Sequence, residues 1–317
     1  MSDNQDWERG VLEKLAMSAL QEQRRARHWV IFFRTLTFIF LFLIFFMYMG
    51  WLGGGAEPRL SVGKHTSLVD LQGVIASDSS ASADSVIGGL QDAFGDSKTK
   101  GVILRINSPG GSPVQAGYIN DEIRRLRVKY PDIPLYVVVE DMCASGGYYV
   151  AAAADKIFVN KASIVGSIGV LMDGFGFTGT MEKMGVERRL LTAGENKGFL
   201  DPFSPMSDSQ KAFAQGMLGE IHQQFIDVVK QGRGKRLQET PDMFSGLFWT
   251  GQKSIAMGLA DAIGSVDSVA RDVIKAEDIV DYTNQEGLAE RLARRFGAGI
   301  ASAFPGFGEH TNGVTLR

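Results

Sequence analysis

The sequence predicts an α/β fold in which helices cover a mostly parallel β-sheet, preceded by one transmembrane helix. Residues 35–56 carry no charged side chain, and about 20 apolar residues span a bilayer as a helix. From about residue 60, short apolar runs alternate with segments of helical periodicity. Runs such as 101–106 are largely apolar, which is typical of parallel strands buried on both faces. This alternation indicates a layered α/β domain.

The charges around the apolar stretch predict its orientation. Arg24, Arg25, Arg27 and Arg34 precede it, and the positive-inside rule places such a flank in the cytoplasm. A cleaved signal peptide has a shorter apolar stretch, so we expect an uncleaved anchor. The predicted divisions are a cytoplasmic segment 1–28, an anchor 29–56, a folded outer domain 57–282 and a tail 283–317.

The elements of the outer domain can be assigned in chain order. Predicted strands occupy 67–76, 101–106, 135–139 and 156–159, and predicted helices occupy 81–94, 113–129 and 146–154. Pro113 favours a helix start, because the N–H that it lacks has no partner in the first turn. Ser207 and Gln210 form a capping-box pattern, which predicts a long helix that stops at Gly232. A further helix is predicted to begin near Thr250.

Charge and cysteine content narrow the function classes. The net charge of -3 gives no basic excess for binding nucleic acid. Cys143 is the single cysteine of the sequence, which excludes an internal disulfide and a multi-cysteine metal site. We expect no metal and no cofactor. Cys143 could itself be a nucleophile, but it fits a small buried apolar residue better.

Three glycine-rich turns follow predicted strand ends. They lie at 107–111, 144–147 and 166–169. Ligands bind where parallel strands end, and exposed N–H groups at a helix start favour negative charge. Gly110 or Gly111 and Gly146 could therefore form an oxyanion hole beside Ser145. Glycines also end strands without any function, and such a hole suits either a peptide tetrahedral intermediate or a thioester enolate.

The base that would activate Ser145 is not an obvious histidine. Of the four histidines, His28 precedes the membrane stretch and His310 lies in the tail, His222 fits an ordinary helix residue, and His65 is not excluded. A buried lysine is the other possible base, because loss of water favours its neutral amine. The candidates after Ser145 are Lys156, Lys161, Lys183, Lys197 and Lys211. Lys197 is favoured, since it lies between glycines beside apolar residues, although a solvated lysine would look the same.

The motifs together resemble the signal peptide peptidase A family in its short, single-domain form. They are NSPGG at 107–111, ASGGYYVAAAAD at 144–155, GSIGV at 166–170 and the loop around Lys197 before a long helix. The resemblance covers about residues 60–280 and implies a Clp protease/crotonase-like fold. It further implies that Ser145 is the nucleophile and Lys197 the general base. Ser167 would hold the lysine amine, and Gly110 or Gly111 with Gly146 would form the oxyanion hole.

The resemblance also implies a biological role. Such a protein would be a serine endopeptidase anchored in the bacterial inner membrane, with its catalytic domain on the periplasmic side. Its substrates would be hydrophobic peptides, the remnants of cleaved signal peptides, and membrane lipid would surround its anchor. It would form a closed ring of about eight copies, in which a neighbour supplies the lysine.

Two alternatives from other classes remain at this stage. The first is a crotonase-like acyl-CoA enzyme that uses the same glycines with a carboxylate or water, although coenzyme A is cytoplasmic. The second is a catalytically silent membrane scaffold that docks partners through Arg291, Arg294 and Arg295. A serine-directed probe would label Ser145 only in the peptidase.

Overall fold

The computed structural model describes residues 2–52 and 63–284, which fall in two units. The first unit contains the helix α1 (Ser2–Leu52). The second unit spans Arg59–Gln285 and contains the sheet. The predicted tail after residue 284, with Arg291, Arg294 and Arg295, lies outside the described residues, as does the linker 53–62.

Helix α1 includes the apolar stretch without interruption up to Leu52. Within it, Glu22–Met47 is long and apolar enough to cross a membrane. Its polar hydroxyls are paired internally: Thr35 donates to the carbonyl of Ile31 and Thr37 to that of Phe33. Such pairing lets a hydroxyl lie in an apolar environment, where an unpaired polar group is costly.

The described residues of the second unit form a sheet of eight strands. They are β1 (His65–Gln72), β2 (Thr99–Ser108), β3 (Leu135–Ala144), β4 (Lys156–Val159), β5 (Ile164–Gly166), β6 (Phe248–Thr250), β7 (Ala262–Ile263) and β8 (Ile279–Asp281). The main order is β6-β5-β3-β2-β1-β8, and β4 joins β3 to β7. Only β5 and β6 are antiparallel among these described pairs. Strand β3 thus pairs with β4 along its first half and with β5 along its second half.

The helices cover both faces of this sheet. They are α2 (Ala83–Gly95), α3 (Pro113–Lys129), α4 (Gly146–Ala151), α5 (Thr178–Met184), α6 (Asp208–Arg233), α7 (Gly251–Ala256) and α8 (Val266–Ser268), which continues as a π-helical segment, Val269–Ile274. The larger core, with Leu104 and Val137, includes residues of α2, α3, α4 and α6. The smaller core on the other side, with Ile103 and Val138, packs against Val269. This layered α/β arrangement confirms the predicted fold class.

Several element ends match the sequence prediction for the expected reason. Helix α3 occupies the predicted residues, with Pro113 in its first turn as expected, and the Ser112 hydroxyl also accepts the N–H of Gln115. Ser207 and Gln210 form the predicted reciprocal capping box of α6. Such caps stabilise a helix by about 1 kcal/mol. The first turns of α3 and α6 are therefore readable from a few side chains.

Several predicted element ends are wrong, and close packing explains the most informative one. Strand β3 continues to Ala144 rather than ending at Val139, and β2 continues to Ser108 rather than ending at Ile106. Helix α6 continues through Gly232 and ends at Gly234, which has φ 52. A Cβ at Gly232 would collide with the carbonyl oxygen of Ala152, so this glycine permits close packing of α6. Strand β1 stops at Gln72, before Gly73 at φ 87. Helix α4 ends at Ala151, because the N–H groups of Ala153 and Ala154 bond to carbonyls three residues back instead of four.

A buried ion pair ties the end of α6 to the sheet. The Arg233 side chain is fully buried, and its Nη1 donates to Asp261 Oδ2 at 2.9 Å. Asp261 also accepts the N–H of Ile157 at 2.7 Å. Burial alone would raise the pKa of Asp261, but the hydrogen bonds and charge of Arg233 hold that pKa below its ordinary value. The pair therefore fixes α6 beside β4.

Candidate active site

Ser145 lies on a sharp turn between β3 and α4. Its φ of 50 is in the left-handed region, which costs a non-glycine residue about 1–3 kcal/mol. The turn is held by its neighbours: the N–H of Ser145 donates to the carbonyl of Gly166 at 2.9 Å, and its carbonyl accepts the N–H of Tyr149 at 3.0 Å. The nucleophile predicted from sequence is thus displayed at the start of a helix by a strained and supported backbone.

Gly110 and Gly111 form the turn after β2, next to Ser145. Gly110 has φ 102, and a Cβ there would lie 2.7 Å from the backbone nitrogen of Gly146 and from Ser145 Cβ. Gly111 has φ 148, and a Cβ there would collide with the carbonyl oxygen of Ile75. Any side chain at these positions would displace the nucleophile turn or the neighbouring chain. The close approach therefore requires glycine.

The hydrogen bonds of this turn determine which way the Gly111 N–H points. Ile75 donates its N–H to the carbonyl of Gly110 at 2.8 Å, and Ser112 donates to the carbonyl of Ile75 at 2.8 Å. The Gly110 carbonyl and the Gly111 N–H belong to one trans peptide unit and point in opposite directions, so the N–H of Gly111 points away from Ile75. A Cβ at Gly146 would lie 3.3 Å from that nitrogen. The backbone nitrogens of Gly111 and Gly146 thus both lie beside the Ser145 turn, where an oxyanion hole would need its donors.

Ser167 lies on a second strained turn that directly adjoins the first. Ala144 pairs with Gly166 in the β3–β5 register, which brings the residues after these strands together. Ser167 has φ 51, and its N–H donates to the carbonyl of Leu247 at 2.7 Å. The structure therefore places Ser167 at the same sheet edge as Ser145.

A cavity of ≈ 590 Å³ brings these residues together. It is lined by Pro109, Gly111, Pro113, Ala116, Ser145, Gly146, Tyr149, Ser167, Gly169, Val170, Leu171, Ile221, Gln224, Phe225, Ser245 and Gly246. Most of this wall was missed from sequence. Tyr149 and Phe225, whose ring centroids are 5.2 Å apart, close one side of it. The only sequence signal for the α6 part was the spacing of Ile221 and Phe225, which share one helix face.

Tyr149 adds a neutral hydroxyl to this mostly apolar wall. Burial, together with the negative charge of Asp121, raises the pKa of the Tyr149 hydroxyl. The carbonyl of Tyr149 accepts a hydrogen bond from Asn120 Nδ2 at 2.7 Å, and Asn120 is itself buried in α3. Helix α4 is thereby held at both ends, at Ser145 by β5 and at Tyr149 by α3.

Lys197 is not among the residues that line this cavity. It is exposed, in the loop that leads to α6. The other candidates, Lys156, Lys161, Lys183 and Lys211, are also exposed, as is every lysine within residues 63–284. The described part of one chain therefore offers no buried lysine beside Ser145.

The remaining candidates lie elsewhere or are engaged. His65 is buried at the amino end of β1, where Nδ1 and Nε2 contact the Gly63 carbonyl and the Tyr282 hydroxyl. Ser145 follows the carboxyl end of a parallel strand, at the opposite sheet edge. His222 Nε2 lies 3.2 Å from the carbonyl of Ile168. Cys143 is fully buried, and burial raises the pKa of its thiol. Within the described residues, no cluster of three or more metal-ligating side chains occurs.

Comparison with known proteins assigns the family. Residues 128–280 match the model of peptidase family S49. A Methanocaldococcus jannaschii protein, provisionally named a protease, is 33% identical to this chain over 234 residues. The match covers 71% of this chain and 74% of that protein. The chain belongs to peptidase family S49. An Enterococcus faecium protein provisionally named signal peptide peptidase SppA is 31% identical over 188 residues, 59% of this chain and 54% of that one. The S49 chain thus has the Clp protease/crotonase-like fold that the sequence predicted.

Other relatives extend well beyond the matched region. A Brucella abortus protein named Na(+)/H(+) antiporter NhaA is 44% identical over 225 residues, which are 70% of this chain but 30% of that protein. A Brucella melitensis protein of the same name matches to the same extent. The chain therefore spans less than a third of the length of these two relatives. Most of each of these proteins lies outside the matched region.

Proposed function

We propose that this S49 chain is a membrane-anchored serine endopeptidase with Ser145 as its nucleophile. The observation that carries the proposal is the convergence at one cavity of the Ser145 turn, the Gly111 and Gly146 N–H groups, and Ser167. Acyl transfer requires a nucleophile, an oxyanion hole and a group that orients the base, and these residues supply a candidate for each. The apolar helix Glu22–Met47 supports the anchor.

The proposed reaction is acyl transfer with Lys197 as the base. The neutral Lys197 amine takes the proton of Ser145 Oγ as that oxygen attacks the peptide carbonyl carbon. The N–H groups of Gly111 and Gly146 stabilise the oxyanion, with Gly110 shaping their turn. The lysine ammonium then protonates the leaving amine, and the C–N bond breaks. In the second half, the amine deprotonates a water that attacks the carbonyl carbon of the acyl-enzyme ester. The ester C–O bond breaks, the ammonium returns the proton to Ser145 Oγ, and the carboxylic acid product leaves.

A neighbouring copy of the chain is proposed to supply Lys197. All lysines within residues 63–284 are exposed in one chain, whereas a Ser–Lys mechanism needs an amine that has lost its water. Lys197 belongs to a segment, 171–206, that also exposes apolar side chains such as Leu191, which is 94% exposed. A contact that covered this segment would desolvate the amine and deliver it to a second cavity. Closed rings of about eight copies would repeat that contact, and Ser167 would orient the amine.

The substrates are proposed to be hydrophobic peptides, including the remnants of cleaved signal peptides. Apolar side chains of Pro113, Ala116, Ile221 and Phe225 form much of the cavity wall, which suits apolar side chains of an extended peptide. The arginines before the apolar helix favour a cytoplasmic N-terminus. The catalytic unit would then work at the periplasmic surface of a bacterial inner membrane, where such peptides remain.

The cavity argues against the acyl-CoA alternative. None of the described residues that line it carries a carboxylate, which is one of the two bases, a carboxylate or a water, that a crotonase-like reaction would draw on. The cavity instead offers the strained Ser145 turn, which such a reaction does not need. A silent scaffold has no need of this strain either, because strained residues persist where function requires them.

The experiment uses the full chain in lipid with a fluorophosphonate probe and an apolar fluorogenic peptide. We expect the probe to label Ser145, as located by mass spectrometry, and the peptide to be cleaved. Ser145→Ala should lose both signals without a change in melting temperature. Turnover of an acyl-CoA without peptide cleavage would establish the first alternative. A folded protein with neither labelling nor turnover would establish the scaffold.

A further inference from the structure

The turn that carries Ser167 is held from two sides by hydrogen bonds. On one side, the N–H of Ser167 donates to the carbonyl of Leu247 at 2.7 Å. On the other side, the carbonyl oxygen of the following residue, Ile168, lies 3.2 Å from His222 Nε2. Between these contacts the Ile168 side chain is fully buried. The backbone around the strained Ser167 is therefore restrained at three points.

The chemistry of the contact fixes the proton on His222. A carbonyl oxygen can only accept a hydrogen bond, so Nε2 must be the donor. The imidazole therefore carries its proton on Nε2 when neutral, and Nδ1 is the acceptor. This tautomer is a specific consequence of the contact with Ile168, and it can be measured without any assay of activity.

His222 also connects the turn to the helix that forms the cavity wall. It lies in α6, next to Ile221 and within one turn of Phe225, which both line the cavity. The residues after Ile168, Gly169 and Val170, line the same cavity. A shift of the turn against α6 would therefore move Ser167 and open or narrow the wall at once.

We propose that His222 is a positioning residue of the peptidase site, which holds the Ser167 turn against α6 through the carbonyl of Ile168. This rests on the proposed function, in which the Ser167 hydroxyl orients the lysine amine. Left-handed backbone at a serine persists only where its surroundings determine it. Without the His222 donor the turn can relax, and the hydroxyl loses its position. Small displacements of a catalytic group cost large factors in rate.

The kinetic test compares two substitutions of one residue. His222→Leu removes the donor, whereas His222→Gln keeps an amide N–H that can reach the Ile168 carbonyl. We expect His222→Leu to lower kcat on an apolar peptide by about 10- to 100-fold, with little change in KM, since the loss is of orientation in the transition state. His222→Gln should retain kcat within about threefold. Gln223→Leu, the exposed neighbour on α6, is the matched control and should behave as the parent.

Three kinetic results would overturn the proposal. They are a parental kcat in His222→Leu, an equal loss in His222→Leu and His222→Gln, and a loss confined to KM. Melting temperature and particle mass are measured for each variant. If His222→Leu does not fold, His222→Asn replaces it, because its shorter amide cannot reach Ile168 and the same loss in kcat is expected.

A second measurement separates this proposal from the function on which it rests. The Ser145→Ala protein is labelled with ¹⁵N-histidine, and the His222 signals are assigned by their loss in a version that also carries His222→Gln. Nitrogen shifts of the Nε2–H tautomer are expected, and an Nδ1–H tautomer would overturn the contact. The parent's failure to cleave peptides or react with the probe would instead contradict the proposed function, whichever tautomer is found.

Discussion

The two halves of the proposed catalytic dyad lie in regions of opposite character. Ser145 follows β3, where Cys143 is fully buried, and its turn bonds directly to β5. Lys197 lies in the segment 171–206, where α5 has no buried residue and Leu171 is 81% exposed. The core of one chain therefore positions the Ser145 turn. It does not position the loop that carries Lys197. A single chain preorganises the proposed nucleophile and oxyanion hole but leaves the proposed base exposed to solvent.

This difference gives the exposed apolar side chains a role. Large apolar surface without a cover usually marks a site of interaction. The most exposed examples within 171–206 are Leu191, Leu171, Phe175 and Met184. We propose that another copy covers this segment and that Lys197 enters the cavity of that copy. Substitutions in the segment should therefore leave the Ser145 turn intact and lower activity only when assembly or the Lys197 amine is lost.

The largest effect on activity is expected from removal of the Lys197 amine. Lys197→Met should lower kcat/KM for an apolar peptide by about 10³-fold or more, as expected for loss of the base that activates a nucleophile. Lys183→Met, an exposed lysine in α5 of the same segment, is the control and should retain parental activity. Full activity in Lys197→Met would contradict its role as base.

Gly110 tests the preorganised half. A methyl group there would push on the Gly146 nitrogen and Ser145 Cβ, so Gly110→Ala should reduce kcat by about 10²- to 10³-fold through a distorted oxyanion hole. Gly117→Ala is the matched control, because a Cβ at Gly117 in α3 meets nothing within 4 Å. It should keep parental kcat and gain slightly in stability, since alanine is the better helix former. Equal kinetics for the two variants would show that the Gly110 turn is not part of the site.

The buried pair Arg233–Asp261 tests the packing that carries both halves. Asp261→Asn should destabilise the protein by about 3–5 kcal/mol at pH 7, because Arg233 stays buried without its partner charge. Since the pKa of Asp261 is lowered on folding, its stabilisation is present above the ordinary carboxyl pKa. It is lost as the pH falls through the lowered value, below about pH 4.

Unfolding measured from pH 7 downwards should therefore show the parent and Asp261→Asn converging in acid. Asp272→Asn changes an exposed pair with Arg271 and should leave the melting temperature unchanged at every pH. A constant difference between parent and Asp261→Asn over the whole range would contradict the lowered pKa.

The smallest effect on the fold itself is expected in the exposed segment. Leu191→Ser removes an apolar side chain that contacts solvent in one chain, so the melting temperature should barely change. The particle mass by light scattering should decrease, because an apolar contact between copies is weakened. Glu187→Ser, an exposed position in the same segment, serves as control. An unchanged mass in Leu191→Ser would place the interface elsewhere.

The same contrast explains how far the sequence could predict the structure. Local signals worked where one or two side chains decide an element, as with Pro113 at the start of α3 and the Ser207–Gln210 box. They failed where tertiary packing decides, as at Gly232, which looked like a helix end and instead permits contact with Ala152. No short pattern records such an approach between distant residues.

The candidate site divides in the same way. Ser145, Ser167 and the glycines are adjacent to strand ends, so topology brings them together and their motifs were visible. The cavity wall from α6, with Ile221 and Phe225, depends on how a distant helix packs. The His222 contact with Ile168 was likewise invisible, because a lone histidine in a helix carries no sign of its acceptor. In the proposed mechanism, a second copy of the chain determines where Lys197 acts. No pattern in a single sequence shows such a contact between copies.

The most direct test of the account mixes two inactive proteins. Ser145→Ala and Lys197→Met are produced together at equal levels, so that rings contain both, and peptide cleavage is measured per subunit. If a neighbour supplies the lysine, about a quarter of the sites combine an intact serine with an intact lysine, and activity should return to about a quarter of the parent. If each chain uses its own lysine, no site in the mixture is complete. A mixture as inactive as its two components would contradict the account.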